Sequence, residues 1–189
     1  GKWDFIAHQI WEKGYFISPK ENHFLEMHPY RYKMLRSIDF YSYVIQRIKY
    51  TNTITWVEEE VREVSENSVV EIKCKTDTYF AKQVFDSRID KEFYDHNDQH
   101  VRILQHFKGW VIETEKDIFN PDEFVMMDFS KKWKNSASFT YVLPSSKRTA
   151  IVEFTLLTSE LTADGDYDTM LKEHCDDVLK ASDYKTVTA

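Results

Sequence analysis

One carboxylate, Glu153, interrupts an otherwise apolar segment, residues 151–157, and is the side chain best suited to acid chemistry. Because side chains alternate along a strand, Val152, Phe154 and Leu156 would share an apolar face and Glu153 would lie on the other. Glu153 then either faces solvent on a half-exposed sheet or lies in a cavity. In a cavity, desolvation would raise its pKa, so that it could donate a proton or stabilise a cation.

Two aspartates and two aromatic residues are further candidates. Asp128 follows a short apolar run and needs a polar partner or water there, as a strand-end turn acceptor would. Asp86 stands where a strand passes into a loop, a position typical of an Asx-turn. Phe139 and Tyr141 share one strand face and form either core or a ligand wall. His106 is interpreted as a structural histidine.

These residues need a sheet to position them. Segments 138–146 and 151–157 predict two strands joined by a turn at 145–149. The spacing of Tyr41, Val44, Ile45 and Ile48 predicts a helix from Ser37 to near residue 50, and a second helix follows residues 164–166. Further predicted strands cover residues 3–11, 22–27, 30–34, 53–64, 69–75, 78–85, 101–115 and 124–129. A charged loop is predicted for 86–99 and a polar tail from 182.

Together these elements predict an α+β fold with a mostly antiparallel sheet and two main helices, in a single domain over residues 1–189.

Net charge is −7 without a basic block, which argues against a nucleic-acid partner. The two cysteines, Cys74 and Cys175, lack metal-ligand spacing, so no metal site is expected. Only four glycines occur, all isolated, and the chain has no phosphate-cradling turn of its own. No run of 18 apolar residues occurs, which favours a cytoplasmic protein, at most peripheral to a membrane.

Several motifs stand in one order along the chain. They are Gln-His-Phe-Lys-Gly-Trp-Val-Ile-Glu-Thr-Glu at 105–115, Met-Met-Asp-Phe at 126–129, Phe-x-Tyr-x-x-Pro-x-Ser at 139–146 and Val-Glu-Phe-Thr at 152–155. Their order and spacing resemble those of bacterial lycopene cyclases. The segments 30–41 and 84–88 also resemble the corresponding parts of that family. The chain is similar to the interior of such a protein, without its dinucleotide-binding fingerprint.

The resemblance implies the substrate-covering part of an FAD-dependent flavoprotein of the hydroxylase and cyclase fold. It implies a redox-neutral isomerase that cyclises the ends of a linear carotenoid, with reduced flavin present in the complete protein. Glu153 would be the catalytic acid, Phe139, Tyr141 and Asp128 would bind the apolar polyene substrate, and Asp86 would contact the cofactor. The complete protein would work at a membrane surface. A flavin-dependent reductase or hydroxylase, or a non-catalytic module that binds an apolar lipid, are the alternatives.

Overall fold

A computed structural model describes residues 1–89, 103–181 and 183–188. The chain divides into two compact units, one formed by Gly1–Phe40 with Val101–Ala189 and the other by Tyr41–His100. Strands and helices occur as separate blocks along the chain, and the sheets are mostly antiparallel. The predicted α+β class is therefore confirmed, while the prediction of a single domain stays a prediction.

The first unit is built on a seven-stranded sheet with the strand order β12-β8-β11-β10-β9-β2-β3. Neighbouring strands are antiparallel, except that β2 and β9 run parallel. The bounds are β2 Lys13–Ile17, β3 Asn22–Glu26, β8 Leu104–Thr114, β9 Glu123–Asp128, β10 Ala137–Pro144, β11 Thr149–Thr158 and β12 Tyr184–Thr188.

The predicted hairpin is the centre of this sheet. Strands β10 and β11 pair antiparallel in continuous register, with Tyr141 opposite Glu153. The turn between them is closed by the backbone of Ser145, whose N–H donates to the Thr149 carbonyl at 2.9 Å. On its other edge β11 pairs with the long strand β8, which places Gly109 opposite Glu153. Glu153 therefore lies in a central strand between two hydrogen-bonded neighbours.

One face of the sheet, here called the helix face, is covered by helix α2, Asp164–Glu173, and by the π-helical turn His174–Val178 that continues it. The alternation on β11 points Val152, Phe154 and Leu156 toward this helix, as predicted. All three are fully buried. The rest of the buried cluster comes from the neighbouring strands and from the helical segment: Ile112, Val142, Ala150, Tyr167, Met170, Leu171 and Cys175.

The opposite face, here called the acid face, carries Phe139, Tyr141 and Glu153. Strands β1, Ala7–Trp11, and β4, Tyr32–Leu35, form a separate two-stranded sheet. This pair is anchored beside β9 and β10, because the Trp11 indole N–H donates to the Pro144 carbonyl at 3.2 Å. The Tyr32 ring also stacks on Phe124 of β9 at 4.6 Å between centroids. Toward β8 the acid face is exposed, and Phe107 there is 60% accessible.

The second unit contains a three-stranded antiparallel meander. Its strands, in the order β5-β6-β7, are Val61–Glu66, Val70–Cys74 and Thr78–Ala81. Helix α1, Ser37–Lys49, confirms the amphipathic helix predicted from Ser37, and the division between the two units falls inside it.

Several predicted elements differ from the structure, and in each case pairing with distant strands decides the outcome. Residues 51–60 are not a strand, and β5 begins only at Val61. The strand predicted for 3–11 is a 3-10 turn, Asp4–Ile6, followed by β1. Two strands were not predicted: β2, which gains β3 and β9 as partners, and β12, which extends the edge of β8 from within the predicted polar tail. The predicted loop 86–99 lies outside the described residues from position 90 onward.

Candidate active site

Glu153 is half-buried on the acid face, in apolar and aromatic surroundings. Its Oε1 accepts a long hydrogen bond, of 3.4 Å, from the Thr155 hydroxyl. Burial raises the pKa of Glu153, and the Thr155 contact only partly offsets this effect. The environment therefore favours the protonated acid, which is the form needed for proton donation.

Two phenols accompany this carboxyl. Tyr141 is the direct cross-strand neighbour of Glu153 on β10. Burial raises the pKa of Tyr141, and the nearby Tyr32 and Glu153 add to the rise. Burial likewise raises the pKa of Tyr32, with a further contribution from Glu153. Both phenols therefore stay protonated near neutrality, and they bring two hydroxyl groups into the neighbourhood of one acid.

Aromatic rings extend from this cluster along the acid face. Phe139 lies edge-on to Tyr141 at 5.2 Å between centroids and is only 5% exposed. Phe129 continues the series, 5.8 Å from Phe139. The structure thus brings the predicted residues Glu153, Phe139 and Tyr141 together on one surface. Electron-rich ring faces beside an acid can stabilise a developing cation.

Asp128 is not part of this surface. It pairs across the sheet with Thr140, whose side chain points to the opposite face from Tyr141, and it is 2% exposed. Its Oδ1 accepts the Ser130 backbone N–H at 2.8 Å, which confirms the turn-acceptor interpretation. Its predicted contact with substrate stays a prediction, and its location on the helix face gives that role no support.

Asp128 instead has a buried histidine as neighbour. Nε2 of His174 lies 3.8 Å from Asp128 Oδ2, and the histidine is fully buried. Burial lowers the pKa of His174, against the effect of Asp128, which acts to raise it. Within the described part of the chain, the buried ring nitrogens of His174 and the Thr140 hydroxyl have no hydrogen-bond partner. Sequence reasoning missed this cluster, because only the fold brings the helix end onto β9 and β10.

Asp86 belongs to the second unit, where its carboxylate forms an ion pair with Arg88. The guanidinium makes a bidentate pair with the Asp86 carboxylate, with Nη2 to Oδ2 at 2.7 Å. The Arg88 backbone N–H also donates to Asp86 Oδ1 at 3.0 Å, which is the Asx-turn contact considered above. These bonds hold the pKa of Asp86 at about 2. The cofactor contact suggested for Asp86 stays a prediction.

His106 is the structural histidine that the sequence suggested. Its Nε2 lies 2.7 Å from the Thr158 hydroxyl, which itself donates to the Glu160 carbonyl. The Thr158 oxygen therefore accepts from Nε2–H, and in this tautomer Nδ1 accepts from the Tyr167 hydroxyl. This chain of hydrogen bonds ties α2 to strands β8 and β11.

The surroundings of the glycines show whether the described residues could bind the diphosphate of FAD. A Cβ on Gly14 would come within 2.7 Å of the Phe124 ring, so packing explains that glycine. Gly109 lies against Glu153, and Gly165 opens α2 between Asp164 and Asp166, whose charges disfavour a phosphate. None of these positions forms a cradle of backbone N–H groups for a diphosphate. The described residues do not fit a flavin site.

Two further features of the described residues bear on other roles. Over 1–89, 103–181 and 183–188, no group of three or more His, Cys, Asp or Glu side chains is placed to hold a metal ion. None of the helices in these ranges has the length and apolarity needed to cross a bilayer.

The fold is similar to that of a solved structure whose chain is about twice as long. A geranylgeranyl bacteriochlorophyll reductase-like protein from Thermoplasma acidophilum superposes with a TM-score of 0.62 at 11% sequence identity, covering 96% of this chain and 49% of that one. At this identity the likeness shows the fold alone, and the chain spans about half the length of this neighbour. The tetracycline destructase Tet(51) matches with a TM-score of 0.40 and 13% identity, over 97% of this chain and 52% of that one.

Sequence comparison identifies the family. No curated protein sequence matches this chain significantly. A family model described as "Lycopene cyclase protein" matches residues 4–185, nearly the whole chain, including every strand that forms the acid face. The chain therefore belongs to the lycopene cyclase family, as the ordered motifs of its second half predicted.

Proposed function

We propose that this chain supplies the acid of a carotenoid cyclase, in which Glu153 protonates a terminal alkene of a linear polyene. The proton adds to one alkene carbon and leaves a tertiary carbocation. The neighbouring double bond attacks that cation and closes a six-membered ring, and loss of a proton restores an alkene. One proton is taken up and one is released, so the product is an isomer of the substrate.

The observation that carries this proposal is the half-buried acid with a raised pKa on an aromatic surface. A fully solvated glutamate would be ionised near neutrality and would lack the proton it has to give. Tyr141 and Phe139 would place ring faces beside the cation. Tyr32 is an additional member of this wall, stacked on Phe124 and with its ring tilted against that of Trp11 at 6.0 Å between centroids.

Reduced flavin is expected in the complete protein from the family relationship, where it would supply an electron-rich surface rather than net electrons. Since the described residues do not fit FAD, we expect residues outside the described ranges to hold it. The steps above run only through side chains of this chain and the substrate.

The complete protein, produced in cells that accumulate lycopene, provides the test. Glu153→Gln keeps the size of the side chain and removes the acid, and we expect cyclic product to fall by about 100-fold or more. Glu113→Gln is the matched control, because Glu113 lies on the acid face at the far end of β8 and forms a surface ion pair with Lys185. Unchanged product from Glu153→Gln would show that this residue is not the acid.

A non-catalytic module that binds an apolar lipid is the second candidate, favoured by the exposed Phe107 and Phe129 on the acid face. Such a module would keep its affinity for lycopene in Glu153→Gln and would form no cyclic product in any variant. A flavin-dependent reductase or hydroxylase would change the mass of the carotenoid by hydrogen or oxygen. Mass spectrometry of the extracted carotenoids separates these outcomes from an isomer of unchanged mass.

The substrate would reach the protein from a membrane, because a long polyene dissolves in lipid and not in water. We therefore propose that the complete cytoplasmic protein works at a membrane surface. Co-flotation with lycopene-loaded liposomes is expected, and a protein that stays at the bottom of the gradient while still converting the pigment would contradict this.

A further inference from the structure

Glu153 has two unlike neighbours across the sheet, and this asymmetry defines where a substrate can approach. On β10 its neighbour is Tyr141, and on β8 its neighbour is Gly109. The β1–β4 pair covers the β9 and β10 side of the acid face. On the β8 side, Phe107 is 60% exposed. The glycine therefore leaves a gap on the accessible flank of the acid.

Backbone conformation does not account for this glycine. Gly109 lies near the middle of β8, a strand of 11 residues, and no described glycine has a positive φ. Glycine inside a strand weakens it and often marks a place where a ligand approaches closely.

Close packing does not account for it either. A Cβ on Gly109 would meet Glu153 Cβ at 3.4 Å, Glu153 Cγ at 3.5 Å and the Val152 carbonyl oxygen at 3.6 Å, which are ordinary van der Waals contacts. Gly14 is the contrasting case, because a Cβ there would come within 2.7 Å of the Phe124 ring. Alanine therefore fits at 109 but not at 14, and steric exclusion of a Cβ does not explain the glycine beside Glu153.

We propose that Gly109 is the clearance position through which the end group of the substrate reaches the Glu153 carboxyl. This inference rests on the proposed function and names the residue that selects the shape of the end group. The carbon that takes the proton belongs to an alkene bearing two methyl groups, so its approach to the acid needs more width than the polyene chain behind it. A side chain at 109 would stand against Cβ and Cγ of Glu153 and fill that width. Gly109 is thus a specificity-determining residue and not a proton donor.

The test is a size series at 109 in the complete protein, with Gly109→Ala as the decisive variant and Gly109→Val as its extension. Each variant is given lycopene and an acyclic analogue whose terminal alkene carries one methyl and one ethyl group instead of two methyl groups, so that both substrates form a tertiary cation. We expect Gly109→Ala to lower the rate with lycopene by about tenfold, the effect of one methyl-sized misfit in an apolar site. The rate with the wider analogue should fall more, so the ratio of the two rates should shift toward lycopene.

Gly165→Ala is the matched control, because no atom lies within 4 Å of the added Cβ at that position. It should leave both rates and their ratio unchanged. Thermal unfolding of each variant is measured in parallel. A purely structural role of Gly109 would lower both rates in proportion to lost stability and leave the ratio constant, and that result would overturn the inference.

Failure of this inference is distinguishable from failure of the proposed function. If Glu153→Gln abolishes the product while Gly109→Ala and Gly109→Val retain the wild-type rates and ratio, the clearance role is wrong and the acid role stands. If Glu153→Gln retains full product, the acid role is wrong, and with it the reason to keep space beside the carboxyl. A fold-intact Gly109→Ala decides the matter even where Gly109→Val unfolds.

Discussion

The two faces of the central sheet place a carboxylic acid in different environments. On the helix face, Asp128 is 2% exposed and lies beside His174, a second ionisable group, under a helix that excludes solvent. On the acid face, Glu153 is half-buried and has aromatic neighbours and one weak hydroxyl contact. A buried carboxyl with fixed partners holds structure together. A carboxyl with few partners and partial access keeps its proton available to something that arrives from outside.

The same contrast appears in the hydrophobic side chains. The helix face is closed by Val152, Phe154 and Leu156 against α2, and these positions are as buried as a protein interior can be. The acid face is covered by the β1–β4 pair only toward β9 and leaves Phe107 accessible. One face therefore supplies stability, and the other retains apolar surface that folding of the described part of the chain does not use.

The largest expected effect is on the closed face. Phe154→Ala removes a ring that is 1% exposed and should lower the free energy of unfolding by about 3–5 kcal/mol. Phe107→Ala truncates the same side chain on the neighbouring strand, where it is 60% exposed, and should cost about 0.5 kcal/mol. Urea unfolding of both variants is the measurement. Equal losses would mean that the acid face is also a packed core.

A second, smaller effect tests how the helix is held to the sheet. His106→Phe removes the acceptor of the Tyr167 hydroxyl proton and should lower the free energy of unfolding by about 1–3 kcal/mol. The double variant with Tyr167→Phe removes both partners and should recover part of that loss, because no buried donor is then left unpaired. Strict additivity of the two single changes in a double-mutant cycle would show that the pair does not interact.

Local pattern predicted the helix face well and the acid face only in part. The alternation around Glu153 was enough to predict that Val152, Phe154 and Leu156 face the core, since a buried strand face needs uniform apolarity. The same alternation left two interpretations of Glu153 itself, because what covers a face is decided by other segments. Tyr32 comes from a strand more than a hundred positions away, and no local signal connects it to Glu153.

Strands at the edge of the sheet were harder to predict for a related reason. The tail from residue 182 is polar, yet β12 forms there because its backbone completes the hydrogen bonds of β8.

Asp128 shows what the local sequence does not determine about a site residue. The sequence predicted correctly that it needs a partner, but its side of the sheet depends on the irregular register between β9 and β10.

The pH dependence of stability tests the buried histidine on the helix face, His174. The folded-state pKa of His174 is lowered by burial, so below about pH 6.5 the unfolded chain binds more protons than the folded one. His174 should therefore make the protein lose stability as the pH falls from about 7 to about 5. Asp128 and Lys131 are the charged groups that bear on it, and they act in opposite directions.

His174→Gln should flatten this part of the curve relative to the wild type, whatever its own stability at neutral pH. His23→Gln is the control, since His23 is an exposed residue whose ring lies 3.0 Å from the Glu21 carboxylate at the surface. Urea unfolding at a series of pH values gives the slopes. A wild-type slope that matches His174→Gln over this range would show that His174 titrates alike in the folded and unfolded states.

Glu153 should produce the smallest effect, and one of opposite sign. Its folded-state pKa is raised by burial, so above the unfolded-state value of about 4.3 the unfolded chain loses its proton first. The stability that Glu153 contributes is thus present at low pH and is lost as the pH rises through the folded pKa.

Glu153→Gln removes the cost of ionising a half-buried carboxyl and should stabilise the protein at neutral pH by about 0.5 kcal/mol, with no gain near pH 4. Urea unfolding at the two pH values, with Glu113→Gln as control, measures the difference. Destabilisation by Glu153→Gln at neutral pH alone would mean that a cation stabilises the carboxylate, and an acid held in that ionised form could not protonate an alkene.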